Sequence, residues 1–262
     1  MLAKKIIPRI DLDHGKCASV LDRLSDPRDA VEACVYYMQQ GADEIYLFDA
    51  FPSPESHRMT CQTVRLVAEA VNLPIMVGGS ILAQEQIADL LDCGADKVVI
   101  GSIAARQPSF ISAACRAFSS PRICVRIDTD RTNWGYRVLI GGPTDIPAAP
   151  EKLTDIDLLD WARRVQELGA GEVLLYSRHS ARIGGGYDIY ATSLLGQALK
   201  IPVIAEGGEG KDLDFSAILA PGVAESAVTA DALHSRELDI PMIKQQLIAF
   251  KLPVRLTTIV TK

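Results

Sequence analysis

The tripeptide Arg-Ile-Asp occurs twice in this chain, and each copy places a carboxylate where it could do chemistry. It ends an apolar run at 9–11 and again at 126–128, so Asp11 and Asp128 lie at the C-terminal ends of two predicted strands. Two carboxyl groups that face one substrate can serve as general acid and general base. The alternative interpretation is structural: each carboxylate caps the following turn or pairs with the nearby Arg9 or Arg126.

Glycines follow two further predicted strands and favour a phosphate site. Backbone N–H groups in a glycine-rich turn before a helix bind anions, and a serine hydroxyl adds a donor. One Gly-Gly pair also occurs in ordinary tight turns, but two such loops together strengthen the interpretation. The predicted phosphate-binding residues are Gly78, Gly79, Ser80, Gly101 and Ser102.

The matching loops in the second half of the chain are acidic. An alignment that places Gly78 on Gly207 puts three acids around the second glycine pair. A like-charge pair about 4 Å apart costs on the order of 4 kcal/mol at an effective dielectric constant near 20. Either these acids turn outward as solvated loop residues, or this end of the substrate is cationic or rich in hydroxyl groups. The altered second anion site comprises Glu206, Gly207, Gly208, Glu209 and Asp231.

Short apolar runs alternate with segments of helical periodicity along the whole chain, which is typical of parallel βα units. The predicted strands are 6–10, 44–48, 75–77, 97–100, 123–127, 172–176, 202–205 and 226–229. The predicted helices are 30–40, 61–71, 84–91, 108–118, 157–168, 189–199, 212–219 and 240–250. Eight strands close a (β/α)8 TIM barrel, so residues 1–262 are predicted to form a single barrel domain. Its first and fifth strands would hold the two aspartates on opposite sides of the mouth.

The two halves of the chain repeat each other. Residues 41–47 match 169–175 at an offset of 128, and Gly78 matches Gly207 at 129, whereas the two Arg-Ile-Asp copies lie 117 residues apart. We interpret the chain as two half-barrels, about 1–120 and 121–262, with an insertion after the second copy. The insertion falls in 131–156, predicted to be a hairpin around 136–140 plus a long loop that shapes the active site.

The composition excludes several classes of function. A net charge of −6 with both signs interspersed provides no basic stripe for nucleic acid or an anionic membrane. No apolar run approaches the length of a membrane span. The six cysteines are scattered and no signal-peptide pattern is present, so we expect reduced thiols in a cytoplasmic protein. The histidines lack metal-ligand spacing, and we expect neither a metal nor a cofactor.

The stretch 178–186 follows the sixth predicted strand and is basic and rich in glycine. Two interpretations are open for it. It is either a lid that grips an anion or a plain mobile loop.

Five segments spread over nearly the whole chain carry a family resemblance. They are Met-Leu-Ala-Lys-Lys-Ile-Ile-Pro at 1–8, Gly-Ala-Gly-Glu-Val-Leu-Leu at 169–175, Gly-Tyr-Asp at 186–188, Arg-Glu-Leu-Asp-Ile at 236–240 and Pro-Val-Arg-Leu at 253–256. These segments resemble the cyclase subunit of imidazole glycerol phosphate synthase, an enzyme of histidine biosynthesis. The resemblance implies a (β/α)8 barrel that receives ammonia from a glutaminase subunit in a heterodimer. It also implies cleavage and cyclisation of a ribulosyl-aminoimidazole carboxamide nucleotide with a phosphate at each end.

The resemblance assigns roles to individual residues. The acid/base pair of the family falls on Asp11 and Asp128, and a position that docks the glutaminase falls on Asp96. The charged gate through which ammonia enters the bottom of the barrel falls on Lys5, Glu44, Lys97 and Glu172.

The chain departs from that family where the substrate is held. Ser19 occupies the place of a lysine that closes over the substrate, and His-Ser-Ala-Arg at 179–182 replaces Asp-Arg-Asp-Gly. Gly101 replaces an asparagine, and the serines expected at the second phosphate are Glu206 and Asp231. The residues that the resemblance assigns to the ammonia gate are preserved, whereas about half of those that it assigns to substrate binding differ.

Three hypotheses for the function remain open. The first is an ammonia-dependent lyase/cyclase of the imidazole glycerol phosphate synthase type, with a small phosphorylated substrate and a glutaminase partner. The second is a diverged paralogue that delivers ammonia to a different substrate, singly phosphorylated or unphosphorylated. The third is a non-catalytic docking or activating barrel. A sister-type isomerase is disfavoured, because it needs two phosphate grips and no ammonia gate.

Overall fold

Eight parallel strands form a closed barrel. The structure is a computed structural model, and it describes residues 3–19, 24–26, 28–51, 53–79, 81–141, 151–207, 212–235 and 238–256. Its strands are β1 (Lys5–Asp13), β2 (Lys16–Cys17), β3 (Ile45–Asp49), β4 (Ile75–Gly78), β5 (Lys97–Ile100), β6 (Ile123–Thr132), β7 (Gly135–Ile140), β8 (Lys152–Asp157), β9 (Glu172–Ser177), β10 (Val203–Glu206) and β11 (Ser226–Thr229). Parallel pairing runs through β1, β3, β4, β5, β6, β9, β10 and β11, and closes where β11 pairs with β1. The predicted (β/α)8 barrel is confirmed.

Helices pack around the barrel, and polar side chains cap the starts of several of them. The helices are α1 (Ala30–Gln39), α2 (Pro54–Ala70), α3 (Gln84–Asp92), α4 (Ile103–Arg106), α5 (Ser109–Phe118), α6 (Leu158–Glu167), α7 (Arg178–Ile183), α8 (Ile189–Ala198), α9 (Asp212–Ile218), α10 (Asp231–His234) and α11 (Ile240–Ala249). Asp29, Ser53, Asp157, Asp188 and Asp239 accept hydrogen bonds from first-turn N–H groups. Each such cap stabilises its helix by about 1 kcal/mol. No helix in the described ranges is long and apolar enough to cross a membrane.

Glycines follow three of the helices, close to the predicted helix ends at 40, 91 and 168. Gly41, Gly94 and Gly169 have φ values of 90°, 110° and 100°. Only glycine adopts this region readily, so each one turns the chain from a helix toward the next strand. The predicted helix ends are confirmed at these three positions.

Side chains that point into the barrel form layers of four from alternate strands, as expected for this fold. Two apolar layers fill the middle of the barrel: Ile7, Met76, Cys124 and Ile204 in one, and Tyr46, Val99, Leu174 and Val228 above it. The next layer toward the C-terminal ends of the strands is charged. This charged layer consists of Arg9, Gly78, Arg126 and Glu206.

The insertion after the second Arg-Ile-Asp extends the sheet beside the mouth. β6 continues into a hairpin with β7, in which Thr132 pairs with Gly135, and β8 pairs with β7. The predicted hairpin around 136–140 is confirmed, whereas β8 was not predicted. Residues 142–150 of the predicted long loop lie outside the described residues.

The basic stretch 178–186 is not a plain loop, because α7 occupies its first six residues. Arg178 forms an ion pair with Glu151, and Arg182 lies 3.5 Å from Asp130. The alternative of a plain loop is therefore wrong for residues 178–183, where the chain is helical. The two arginines of this helix meet carboxylates of the chain itself, which fixes the helix against the insertion and against β6.

Strand pairing corrects the alignment of the two halves. Phe48 pairs with Gly78 in the first half, and Tyr176 pairs with Glu206 in the second. Glu206 therefore occupies the position of Gly78 and not that of Val77, so the predicted alignment was one residue out. It was wrong because it matched one glycine pair to the other, whereas the register of the strands is set by their neighbours.

The glycines that follow these strands, Gly79 and Gly207, now correspond and have φ values of 103° and 95°. A Cβ atom on Gly79 would lie 2.2 Å from the carbonyl oxygen of Asp49. Both the backbone angle and the available space therefore require glycine at position 79, directly after β4.

We predict that Gly79→Ala destabilises the barrel more than Gly135→Ala. Gly135 has a similar φ of 100° but nothing within 4 Å of an added Cβ, so its substitution incurs only the backbone strain, about 1–2 kcal/mol. Gly79→Ala adds the overlap with the Asp49 backbone. Urea unfolding of both variants measures the difference, and equal losses would contradict the close approach seen here.

Candidate active site

The two predicted catalytic aspartates lie at the C-terminal end of the barrel on opposite strands. Asp11 is on β1 and Asp128 is on β6, with three strands between them in either direction around the barrel. Strand pairing places Asp11 beside Phe48 and Asp128 beside Tyr176. The aspartate side chains are 29% and 24% exposed, so a ligand in the mouth can reach both.

Each aspartate is held by the arginine two residues before it. Residues two apart on a strand point to the same face, so Arg9 and Asp11 both point inward, as do Arg126 and Asp128. Nε and Nη2 of Arg9 donate to the two Asp11 oxygens at 2.7 and 2.8 Å, and Nε of Arg126 donates to Asp128 at 2.7 Å. The pairing weighed as the structural alternative is present, and it orients both carboxylates toward the mouth.

One buried carboxylate joins the two pairs. Glu206 accepts a hydrogen bond from Nη1 of Arg9, and Nη1 of Arg126 lies 2.8 Å from its Oε2. Burial acts to lower the pKa of both arginines, but attraction to Glu206 and to the adjacent aspartates outweighs it and raises the pKa. Both guanidinium groups therefore stay charged. Removing one partner of a buried pair costs about 3–5 kcal/mol, because it leaves an uncompensated charge.

Aromatic rings pack against the guanidinium groups. The Cζ atoms of Arg9 and Arg126 each lie 5.2 Å from the centroid of the Phe48 ring, and that of Arg126 lies 4.7 Å from the Tyr176 ring. Cations at this distance are attracted to an aromatic face, by about 0.5–2 kcal/mol. The Phe48 ring thus lies near both arginines, which also share Glu206.

Tyr46 closes the charged layer from below. A Cβ atom on Gly78 would lie 2.7 Å from the Tyr46 hydroxyl, so the ring fills the space that the glycine leaves. Burial raises the pKa of Tyr46, and the charge of Glu206 acts in the same direction, so the phenol is neutral at physiological pH. The absence of a side chain at position 78 is therefore a packing requirement as well as a feature of the predicted phosphate loop.

Sequence reasoning did not connect Glu206 with the arginines. The two residues of the Arg9–Glu206 contact are 197 positions apart, so no local pattern announces it. The usable signal was the Arg-x-Asp spacing, which puts two inward cations beside two acids. Sequence reasoning also missed Phe48 and Tyr46, because they resemble ordinary core residues in an apolar run.

The predicted phosphate-binding residues lie at the ends of two adjacent strands. Pairing of β4 with β5 brings together Gly78, Gly79, Gly101 and Ser102. Ser102 is buried, and its Oγ accepts a hydrogen bond from the N–H of Gly141 at 3.1 Å. The last described residue before 142–150 is therefore anchored beside the predicted phosphate loops. Ser80 lies outside the described residues.

The two described acids of the altered second anion site, Glu206 and Asp231, lie in different surroundings. Glu206 is the last residue of β10 and points into the barrel. Asp231 begins α10 and is exposed. Gly207 follows β10, and Gly208 and Glu209 lie outside the described residues. The expectation of three acids facing one space is wrong for Glu206, whose charge is met by protein cations.

Four charged residues form a row of ion pairs at the N-terminal end of the barrel. Lys5 Nζ lies 3.1 Å from Glu44, and Lys97 Nζ lies 3.1 Å from Glu44 and 2.8 Å from Glu172. Burial acts to lower the pKa of Lys97, but attraction to Glu44 and Glu172 raises it overall. Lys97 therefore remains a cation held between two carboxylates, at the position that the family resemblance assigned to an ammonia gate.

Asp96 is exposed at the same end of the barrel. Its Oδ2 accepts a hydrogen bond from the N–H of Ile75 at 2.8 Å, which fixes the side chain. It borders a cavity of about 350 Å³ whose lining also includes Val71, Leu73 and Pro74. An oriented acid thus lies at the rim of a cavity at the same end of the barrel as the predicted gate, and its docking role stays a prediction.

Histidines and cysteines of the described ranges do not form a metal site. No group of three or more His, Cys, Asp or Glu among those residues is arranged to hold a metal ion. All six cysteines are free thiols. Burial raises the pKa of Cys34 and Cys124, which are neutral core residues.

Comparison with known proteins decides the family. The family described as "Histidine biosynthesis protein" matches residues 5–239. The chain belongs to this family. A protein of Alkaliphilus metalliredigens named imidazole glycerol phosphate synthase subunit HisF is 37% identical over 250 residues, 94% of this chain and 96% of that protein. Proteins of the same name from Prochlorococcus marinus strain MIT 9312 and Clostridium botulinum strain Kyoto are 36% identical over 262 and 253 residues, covering 97% and 94% of this chain and 99% and 96% of the relatives.

In this member of the histidine biosynthesis family, a half-buried histidine supports the charged layer from outside. Nε2 of His234 donates to the carbonyl oxygen of Arg9 at 3.0 Å, and Nδ1 lies 2.7 Å from the Tyr37 hydroxyl. Burial lowers the pKa of His234, although its bond to the Arg9 carbonyl opposes the shift. The neutral imidazole thus links α10 to β1 and to α1.

We predict that His234 makes the barrel less stable in acid. Its folded pKa lies below the unfolded value near 6.5, so its contribution is complete above pH 6.5 and is lost as pH falls from there through the folded pKa. His234→Gln should reduce the loss of unfolding free energy between pH 8 and pH 5. His14 is the matched control: its hydrogen bond to Asp13 raises its pKa, so His14→Gln should not reduce that loss. An identical pH dependence in wild type and His234→Gln would refute the assignment.

Proposed function

We propose that the chain is an ammonia-dependent lyase/cyclase of the imidazole glycerol phosphate synthase type, acting with a glutaminase subunit. The observation that carries this proposal is the 36% and 37% identity, over nearly the whole length, to proteins named as a subunit of that synthase. Two features of the site agree with it. Asp11 and Asp128 face each other across the mouth, and the row of ion pairs closes the opposite end of the barrel.

At the N-terminal end, the proposal assigns the entry of ammonia to Lys97 and its partners. Lys97 is bound to both Glu44 and Glu172, so one displacement of this side chain breaks both pairs at once. A glutaminase docked over the Asp96 cavity would deliver ammonia directly to that point. The partner surface and the gate then form one functional face.

At the mouth, the proposal assigns proton transfer to the two aspartates. One carboxyl donates a proton to the departing group while the opposite carboxylate accepts one from the attacking ammonia. The arginine forks hold each carboxylate in a fixed orientation across the substrate. Orientation of this kind lowers the barrier because no rearrangement is needed at the moment of reaction.

The identity of the substrate has two candidates. The substrate implied by the family carries a phosphate at each end, and the loops after β4 and β5 supply a site for one of them. A diverged paralogue that delivers ammonia to a singly phosphorylated substrate is the second candidate. The position of Glu206 favours this candidate. Its carboxylate lies at the predicted second anion site and is already paired with Arg9 and Arg126.

We predict that the bis-phosphate substrate of the family binds no more tightly than a fragment with one phosphate. Among the described residues, the Arg9 and Arg126 donors at this end of the mouth are already paired with Glu206. Isothermal titration of both ligands measures the two dissociation constants. A bis-phosphate that binds tenfold tighter, about 1.4 kcal/mol, would favour the histidine-pathway substrate and exclude the paralogue.

We predict that Asp11→Asn lowers turnover with ammonium salt by about 10²- to 10⁴-fold, the usual contribution of a general acid or base. The substrate is whichever of the two candidates binds. Asp89→Asn is the matched control, because Asp89 is exposed on α3 and pairs only with His57 among the contacts described. Circular dichroism should show both variants folded. Undiminished turnover of Asp11→Asn would remove Asp11 from the mechanism.

A further inference from the structure

Glu206 makes a contact that an anionic ligand would make. Nη1 of Arg9 donates to Oε1 of its carboxylate, and Nη1 of Arg126 donates to Oε1 at 3.1 Å and lies 2.8 Å from Oε2. Paired N–H donors of arginine are the usual protein ligands of carboxylate and phosphate. Two arginines from opposite strands thus form a cradle for one anion, and a side chain of the protein fills it.

The cradle opens toward the mouth. The side chains of Arg9 and Arg126 are 19% and 11% exposed, whereas that of Glu206 is 2% exposed. The carboxylate therefore reaches the arginines from the buried side, and the solvent-facing edges of the arginines border the space between Asp11 and Asp128. An anion from the mouth would meet the same two cations that Glu206 holds.

The repeat indicates what Glu206 replaces. Gly78 has the matching position in the first half and carries no side chain, and the predicted phosphate loop begins there. The two halves differ at this position: the first has no side chain next to its predicted anion loop, and the second has a carboxylate with a fixed negative charge.

We propose that Glu206 is a specificity-determining residue, an internal anion that occupies the Arg9–Arg126 cradle and excludes a second anionic group of the substrate. The ligand it selects has one anionic end, bound by the loops after β4 and β5, and a neutral or hydroxyl-bearing end at the β10 side. The identity of the reacting substrate rests on the proposed function, but the cradle and its occupant do not. Specificity of this kind works by repulsion. A second phosphate that displaced the Glu206 carboxylate from the two arginines would be repelled by that carboxylate, which would then be unpaired.

The test removes the internal anion and offers inorganic phosphate in its place. Isothermal titration of wild type and Glu206→Ser with phosphate, in chloride buffer of constant ionic strength, gives the stoichiometry and the dissociation constant. We expect Glu206→Ser to bind one phosphate more than wild type, whether wild type binds one or none. The melting temperature of the variant should rise with phosphate concentration, because a ligand that binds only the folded state stabilises it.

Two variants separate the cradle from a general loss of negative charge. Arg126→Met combined with Glu206→Ser keeps the net charge of the charged layer at its wild-type value but removes half of the cradle, so the additional phosphate should be lost. Glu167→Ser removes one acid from an exposed pair with Arg164, and it should bind phosphate as wild type does. Equal phosphate binding by Glu206→Ser and wild type, or an unchanged extra site in the double variant, would overturn the proposal.

Loss of folding in Glu206→Ser does not prevent the test. The buried arginines then lack an anion, so the gain in refolding when phosphate replaces chloride at equal ionic strength should be larger for the variant than for wild type, which shows only the general effect of phosphate on folding. An equal gain in the two proteins would also overturn the proposal. A barrel that gains the phosphate site but turns over neither candidate substrate would leave the cradle intact and reject only the proposed reaction.

Discussion

The mouth of this barrel depends on one constraint: two arginines point inward from opposite strands and share a single buried carboxylate. Neither Arg9 nor Arg126 can leave the interior, because its strand position faces the axis, and neither can lose its charge. The carboxylate of Glu206 satisfies both, and each arginine in turn holds its own aspartate. Five alternating charges therefore cross the barrel as one unit.

Each end of the barrel contains one charge between two charges of opposite sign, and the signs are reversed between the two ends. At the bottom, the cation of Lys97 lies between two carboxylates, and at the mouth, the carboxylate of Glu206 lies between two cations. Two apolar layers separate these sets, so each is neutralised locally rather than across the interior. Interactions in such surroundings are less screened than at the surface, which makes both sets strongly cooperative.

Much of the fold was readable from the sequence because the apolar runs of buried parallel strands are short and bounded, and the helices between them have caps and glycine stops. The hairpin after Asp128 followed from the repeat, which exposed the inserted residues. The register at Gly78 and Glu206 was missed, because a glycine pair matches equally well at either offset and only strand pairing distinguishes them. The helix at 178–183 was missed since its basic and glycine-rich composition resembles a loop, while contacts with Glu151 and Asp130 stabilise it. The contacts of Glu206 depend on barrel closure, which no local pattern records.

The charged residues of the mouth do not depend on one another equally. Each arginine has a second partner, the aspartate two residues further along the same strand. Glu206 has no cation besides the two arginines among the described contacts, and without them it would be a buried third acid below Asp11 and Asp128. Loss of both arginines should therefore disturb Glu206 more than loss of Glu206 disturbs either arginine.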